Sequence, residues 1–439
     1  MNPPVRPLAE VDGLTVSLWN PKTPCDAEGR RWQKAGFLST RGPARGHFVY
    51  FRGYDGPPLD PVHLDYRRHP PGTPFAPPAG ASLFGVFRDA LPGHFGMSLL
   101  ESHFPEIARL DDLGRLAWFG RRVQSGLLFE PQSRQGTPER YIEGVSYLEA
   151  AREKMIRFQL QQMRRLIDQD NLYSLTSLGG ARPKLAARID GRYWVAKFNR
   201  PDDPYDSLAR VEHAALQLAA AAGIPVPASK VLVLPRSSED TLLVERYDRG
   251  VAHRAHRVSL RTLTGIDNVG VHGGTADMRD VGKILDALSC DGTQHADLIR
   301  RIAFMAGAGV ADNHLGNFEM MLDTENRWVF TPAYDLVPVD VDADYATRLC
   351  GFEKSSRAVS PHLAPAVARL LGRPLSQVAP LIEDTWARMA GQFDRVAREA
   401  NLSASDAARL ARAIPVGRLA ALSGRPDFAP GLQQQRGPR

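Results

Sequence analysis

The sequence predicts an α+β chain of two lobes with a cleft between them, on three observations. Short runs of strand character occupy the first third and return near the middle. Nearly everything after about Asp280 has helical periodicity, and polar clusters gather where one pattern gives way to the other. Such a junction is where a ligand cleft is expected.

The 439 residues are 43% hydrophobic and 24% charged, an ordinary composition for a folded chain with a large core and two or three subdomains. No stretch approaches the ~18 uncharged apolar residues needed to cross a bilayer. The start, "MNPPVRPLAEVDG", lacks a basic-then-apolar leader, so a cytoplasmic protein without membrane association is expected. Cys25, Cys290 and Cys350 lie far apart and form no CxxC pair, which argues against a disulfide framework or zinc site; buried or half-buried thiols are expected. The net charge of +6 and pI of 9.3 suit contact with nucleic acid or an acidic partner, yet the excess is too modest to imply direct reading of DNA.

Residues 1–140 are rich in Pro and Gly, and "LTVSLWN" and "HFVYFRGY" read as short strands, giving a β-rich or α+β unit. In "ASLFGVFRDALPGHFGMSLLESHFP" apolar residues recur at helical spacing, interrupted at Pro92 and Gly93. "SYLEAAREKMIRFQLQQMRRLID" is helical without a breaker and leads into a second unit over residues 141–250. There "SLTSLGGARPKLAARIDGRYWVAKF" offers a Gly-containing loop, a strand, an Asp190–Gly191 turn and a second strand, a hairpin signal. A helix runs from about Ser207 to Ala222 and is stopped by Gly223 and Pro225. "SKVLVL" and "TLLVERY" supply two more strands. A third unit, 251–430, reads as mostly helical; "PHLAPAVARLLG" and "SASDAARLARAI" are each expected to open on a Ser cap. The tail "GLQQQRGPR" has the composition of a disordered segment, and no internal repeat is present.

The densest polar cluster is "GVADNHLGNF". Asp312 precedes Asn317 by five positions, the spacing of the D-x-x-x-x-N catalytic loop of protein kinases, and Asp335 in "TPAYDLVP" follows at about the distance of that class's metal-binding aspartate. Phosphoryl transfer needs a carboxylate to take or orient the attacking hydroxyl's proton, and oxygen ligands for magnesium. Asp312 fits the base, Asn317 and Asp335 the metal ligands. His314 is placed to hydrogen-bond the moving phosphate or an adjacent backbone carbonyl. Taken alone, Asp312 and Asn313 would equally suit a turn after a buried helix.

Upstream, "WVAKF" sets Lys197 in an alternating strand like the V-A-I-K strand whose lysine reaches nucleotide phosphates, with Glu212 on the next helix as the carboxylate that would orient it. Each alone also fits a solvated surface charge. In "SLGGARPK", Gly179, Gly180 and Ala181 bring small residues and backbone amides near phosphate oxygens, and Lys184 adds a cation. The pattern is neither a G-x-G-x-x-G loop nor a P-loop. "LLVERYDR" stands where a hinge is expected, with backbone groups from Glu245 to Tyr247 available to adenine and Tyr247 packing nearby; an amphipathic strand end is the plainer alternative.

"SLGGARPK", "VAKF", "VERYDR", "GVADNHLGNF" and "TPAYDLVP" occur in the order and spacing of the HipA-like serine/threonine kinases, toxins of type II toxin–antitoxin systems, which the chain resembles. "FGVFRDALPGHFG" resembles that family's N-terminal subdomain, so the likeness covers most of the chain. The resemblance implies a two-lobed protein-kinase-like fold in which 1–140 is the N-terminal subdomain, 141–250 the nucleotide-binding region and 251–430 the catalytic lobe. It implies ATP and magnesium as cofactors, Asp312 as base, Asn317 and Asp335 on metal, Lys197 on the phosphates and Gly179 to Lys184 as phosphate loop. Ser177 falls where family members autophosphorylate; adding nearly two negative charges there would repel nucleotide phosphates and switch the enzyme off. The implied partners are a small helix-turn-helix antitoxin of HipB type, DNA only through that complex, and a protein substrate such as an aminoacyl-tRNA synthetase. Gly316 departs from relatives that carry a basic residue there, which bears on substrate or phosphate contact. A small-molecule phosphotransferase of the aminoglycoside-kinase type shares the same Asp, Asn and Asp logic and stays open; the acidic run "DVDADY" would suit its acceptor pocket.

Overall fold

The computed structural model describes residues 13–27, 29–120, 123, 125–131, 142–143, 152, 184–200, 203–234, 239–250, 253–265, 278–288, 292–310, 315–339 and 360–424. The chain forms two compact units interleaved along the sequence. The first takes Met1–Arg200, Leu232–Asp267 and Glu319–Thr331; the second takes Pro201–Val231, Asn268–Phe318 and Pro332–Arg439.

The first unit opens on an antiparallel sheet of β1 (Gly13–Trp19), β2 (Trp32–Ser39), β3 (Phe48–Tyr50), β4 (Pro74–Phe75) and β5 (Leu127–Pro131), in the order β4-β3-β2-β1-β5. Leu14, Val16 and Leu18 occupy every second position of β1 and are fully buried, as one sheet face on a core requires. That core is aromatic. The Phe48 ring meets Tyr50 and Phe87 edge-on, and Phe87 in turn meets Phe129. Tyr50 is buried with its hydroxyl satisfied twice, donating to the Leu64 carbonyl and accepting from the Leu59 amide, each at 2.8 Å. Gly36 is required by close approach: a Cβ there would fall 2.3 Å from the Val49 carbonyl oxygen of the neighbouring strand.

Between β4 and β5 lie the helices Gly85–Arg88 and His94–His103, broken at Pro92 and Gly93 as the sequence implies, then Pro105–Ala108 and Asp112–Phe119. Asp89 accepts from the Ser259 amide at 2.9 Å, the Ser259 hydroxyl at 2.8 Å and Arg261 at 3.1 Å, clasping the start of the helix Leu260–Thr264.

A second sheet holds β6 (Ile142–Glu143), β7 (Lys184–Ile189), β8 (Arg192–Phe198), β9 (Ser229–Val233) and β10 (Asp240–Glu245), in the order β6-β7-β8-β10-β9. β11 (Arg249–Gly250) pairs with β12 (His253–Arg254), and β13 (Arg257–Ser259), β14 (Glu319–Leu322) and β15 (Trp328–Phe330) form a third antiparallel sheet. The last two strands correct the expectation of near-continuous helix after Asp280. The β14–β15 turn is held by the Asp323 carboxylate, which accepts from the Glu325 and Arg327 amides at 2.8 Å, and by Asn326 in the left-handed region at φ 62°.

The second unit is helical: Leu208–Ala221, Met278–Ala287, Gly292–Ala308, Leu363–Leu371, Leu375–Glu399, Ala404–Ala413 and Val416–Leu422. Gly292–Ala308 packs on Leu375–Glu399, where the Trp386 indole N–H donates to the Ala303 carbonyl at 3.0 Å. Gly307 gives Met389 room: a Cβ there would meet its methyl carbon at 3.0 Å.

Ser207 caps the helix Leu208–Ala221 and Ser403 caps Ala404–Ala413, each side chain accepting from an amide three residues on. The Ser cap expected for "PHLAPAVARLLG" is absent, because that helix begins at Leu363 after His362 and the Ser360 hydroxyl reaches only the His362 amide. Cys25 is exposed, not buried; Cys290, Cys350, the linking helix after Ser146 and the tail lie outside the described residues.

Candidate active site

Asp190 and Gly191 both adopt positive φ, 51° and 75°, the turn whose twist matches two antiparallel strands. It sets the β7–β8 register, which runs from Ile189 opposite Arg192 to Lys184 opposite Lys197. β8 is the central strand of its sheet. Trp194, Ala196 and Phe198 are buried along one face, while Lys197 sits half-buried with Tyr193 and Val195 on the other. Residues directly opposite share a face, so Lys184, only 7% exposed, lies on the same side as Lys197. Lys184 and Lys197 thus bring two cationic side chains to one face of the hairpin. Leu242 of β10 flanks Lys197 on the other edge.

The strand end that reads as a hinge is held by a buried charge network. The Glu245 side chain reaches Arg192 at 3.4 Å, and the Arg246 amide is spent on the Tyr193 carbonyl at 2.8 Å. The Arg246 amide is therefore withdrawn from any ligand. Asp248 accepts from Arg246 Nε at 2.9 Å and Nη2 at 2.6 Å, with Arg249 and Arg257 beside it. Burial alone would raise the Asp248 carboxyl, but the Arg246, Arg249 and Arg257 guanidiniums outweigh it and hold the group well below the usual carboxylate range. Arg257 Nη1 donates to both oxygens of Glu319, at 2.9 and 2.6 Å, and the Tyr247 hydroxyl donates to the same carboxylate at 3.2 Å. Burial first, then the Glu319 charge, raises the Tyr247 phenol.

The second unit carries Glu212, Asn317 and Asp335. Glu212 is 3% exposed on the helix Leu208–Ala221, among buried alanines and leucines; a carboxylate so placed demands a cation or hydrogen-bond donors. Asn317 ends a 3-10 turn, Leu315–Asn317, and is half-buried. Asp335 adopts φ 55°, a left-handed conformation that Asp tolerates better than most residues and that clusters at functional positions. Its segment is pinned on both sides. The Ala333 amide donates to the Pro225 carbonyl at 2.8 Å, Val339 to the Gly309 carbonyl at 3.1 Å, and Pro338 bridges to Val310. Gly309 and Val310, shortly before Asp312 in the sequence, are thus bonded to Val339 and Pro338, shortly after Asp335. Asp312, His314, Ser177, Gly179, Gly180 and Ala181 lie outside the described residues.

Among the described residues no group of three or more His, Cys, Asp and Glu comes together as a metal cluster. Asn317 and Asp335 nonetheless offer the hard oxygen donors magnesium prefers, on backbone fixed by a turn and by flanking hydrogen bonds. Sequence reasoning missed the Asp248–Arg257–Glu319 network. Its one signal was a lone glutamate between Phe318 and Met320 in an otherwise apolar run.

A model of the HipA-like C-terminal domain matches residues 176–413, more than half of the chain. The chain belongs to the HipA-like family. Among solved structures, it resembles HipA of the Shewanella oneidensis MR-1 toxin–antitoxin system, described in a complex of HipA, HipB and its operator DNA. The TM-score is 0.58 at 20% identity, over 94% of this chain and 97% of that one. The expected α+β, kinase-like fold is the fold of that HipA. The Helicobacter pylori proinflammatory kinase CtkA aligns with a TM-score of 0.35 at 13% identity, over 56% of this chain and 94% of that one. No curated protein matches the chain. The HipA-like match takes in β7, β8 and the hinge, both metal-ligand candidates and the helix Ala404–Ala413. Among the described residues no helix is long and apolar enough to cross a membrane.

Proposed function

We propose that this HipA-like chain is an ATP- and magnesium-dependent protein kinase that phosphorylates serine or threonine, and that it is the toxin of a toxin–antitoxin pair. The observation that carries the reading is the Lys184–Lys197 pair across β7 and β8, two cations on one face of the sheet's central hairpin, suited to nucleotide phosphates. Gly179, Gly180 and Ala181 supply backbone amides to the same phosphates, Glu212 orients Lys197, and the stretch Glu245 to Tyr247 lines the adenine through its remaining backbone groups. Tyr247, its hydroxyl bonded to Glu319, packs near the base.

In the reaction the acceptor hydroxyl oxygen bonds to the γ-phosphorus as the bond from that phosphorus to its bridging oxygen breaks. Asp312 takes the hydroxyl proton, His314 hydrogen-bonds the moving phosphoryl group, and the lysines offset charge gathering on the departing ADP. Asn317 and Asp335 would hold magnesium, which supplies charge neutralisation on the phosphates when bound.

By likeness to the complex of HipA with HipB and operator DNA, a small helix-turn-helix antitoxin is the partner and DNA is reached through it. The substrate is a translation component such as an aminoacyl-tRNA synthetase, and phosphorylation of Ser177 turns the enzyme off. Incubation with γ-labelled ATP and cell lysate tests the reading. Labelled protein bands that vanish with Asp312→Ala are expected. Label in small molecules alone would replace it with a small-molecule phosphotransferase, and toxicity undiminished in Asp312→Ala would remove kinase activity from the toxic function.

A further inference from the structure

The helix that carries Glu212 is held at its entrance by the far end of the chain. The Asp406 carboxylate is completely buried and accepts the Asp206 amide on one oxygen at 2.8 Å and the Ser207 amide on the other at 2.9 Å. These amides lie immediately before the helix Leu208–Ala221, so Asp406 acts as a cap supplied from about 200 residues away and sets a negative charge at that helix's positive end. Three further contacts grip the same entrance. The Ser403 hydroxyl donates to the Asp206 carboxylate at 2.6 Å, Arg409 donates to the Pro204 carbonyl, and Arg210 donates to the Ala400 carbonyl at 3.3 Å. Ser403 also accepts the Asp406 amide at 3.0 Å, which fixes the carboxylate's own backbone.

Glu212 lies just over one helical turn beyond this clasp, within the stretch whose axial position and rotation the two amide bonds define. The Ser207 hydroxyl already caps the helix locally, accepting from the Arg210 amide. The tertiary carboxylate is therefore redundant for making a helix and effective for placing it.

We infer that Asp406 is a positioning residue: it fixes the register of the helix Leu208–Ala221 and, with it, the placement of the Glu212 carboxylate. The inference rests on the role proposed for Glu212.

A double-mutant cycle on the full-length chain tests it, with kcat and KM for ATP measured for Asp406→Ala, Glu212→Gln and the pair. The expected result is an about tenfold fall in kcat for Asp406→Ala with KM for ATP nearly unchanged, and a pair no slower than Glu212→Gln alone, because both act along one path. Losses that multiply in the pair would show that Asp406 acts apart from Glu212 and would overturn the inference while leaving the kinase reading intact. A fully active Glu212→Gln would instead overturn the role given to Glu212, and the inference with it. If Asp406→Ala fails to fold, Ser403→Ala replaces it in the same cycle, with about a two- to threefold fall in kcat expected and the same criterion of non-additivity.

Discussion

The described residues include two five-stranded sheets that treat charge in opposite ways. In the β1–β5 sheet, β1 and β3 carry no charged residue, and the face turned to the core is closed by Phe48, Phe87 and Phe129. In the β6–β10 sheet the central strand bears Lys197 with Lys184 directly across from it. Like charges so placed cost stability, on the order of 0.2–1 kcal/mol. The first sheet is built on aromatic packing, and the second carries the two lysines to which phosphate binding is assigned above.

The comparison breaks most visibly at Phe48. Phe48→Ala should lower unfolding stability by about 4 kcal/mol, read from the denaturant midpoint, while kcat per folded molecule stays unchanged. Lys197→Met should do the reverse: kcat/KM for ATP falls by about 10²- to 10³-fold while the midpoint moves by less than about 1 kcal/mol. If both variants lost stability and activity together, the division of labour between the sheets would be wrong.

His256 sharpens the apolar side of the comparison. It is fully buried, with its ring nitrogens 2.7 Å from the Ser125 hydroxyl and from the Leu59 carbonyl, and burial pushes its pKa down to about 4. The unfolded chain then binds a proton below about pH 6.5 that the folded chain refuses until about pH 4. Stability is fully present above the first value and is lost as pH falls towards the second. A loss of about 2 kcal/mol between pH 6.5 and pH 5 is expected in thermal melts, and His256→Gln should flatten that slope. The smallest effect lies in the second unit. Gly309 has φ 63° and its Cβ would come 3.2 Å from the Val339 carbonyl, so Gly309→Ala should cost about 1 kcal/mol in midpoint. By loosening the turn that follows the helix Gly292–Ala308, three residues before Asp312, it should lower kcat more than KM.

The parts of this architecture that were legible in the sequence depend on neighbours along the chain. Asp190–Gly191 announces its hairpin because only such residues take positive φ twice in succession, and Ser207 and Ser403 announce helix starts because their hydroxyls serve amides three residues on. Short apolar runs carry no such mark. Residues 319–322, Glu-Met-Met-Leu, suit helix and strand alike, and pairing with Arg257–Ser259, some sixty residues earlier, decides the matter. Buried charges were the least legible. Asp248 with Arg246 looks like surface polarity until Arg257 and Glu319 arrive from elsewhere, and Asp406 reads as an ordinary first-turn acid of its own helix. For the candidate site, motif spacing nominates residues only; the shared face of Lys184 and Lys197 needed the strand register, and the fixed backbone of Asp335 needed Pro225 and Gly309.

The interleaving of the two units has a consequence for biosynthesis. Among the described residues β13 pairs with β14 alone, and β14 leaves the ribosome after three helices of the second unit, so the earlier unit cannot close its last sheet until Phe330 has been made. A nascent chain stalled or cleaved before that point cannot assemble the Asp248–Arg257–Glu319 network. For most of its length the chain is therefore translated before its β13–β15 sheet can form.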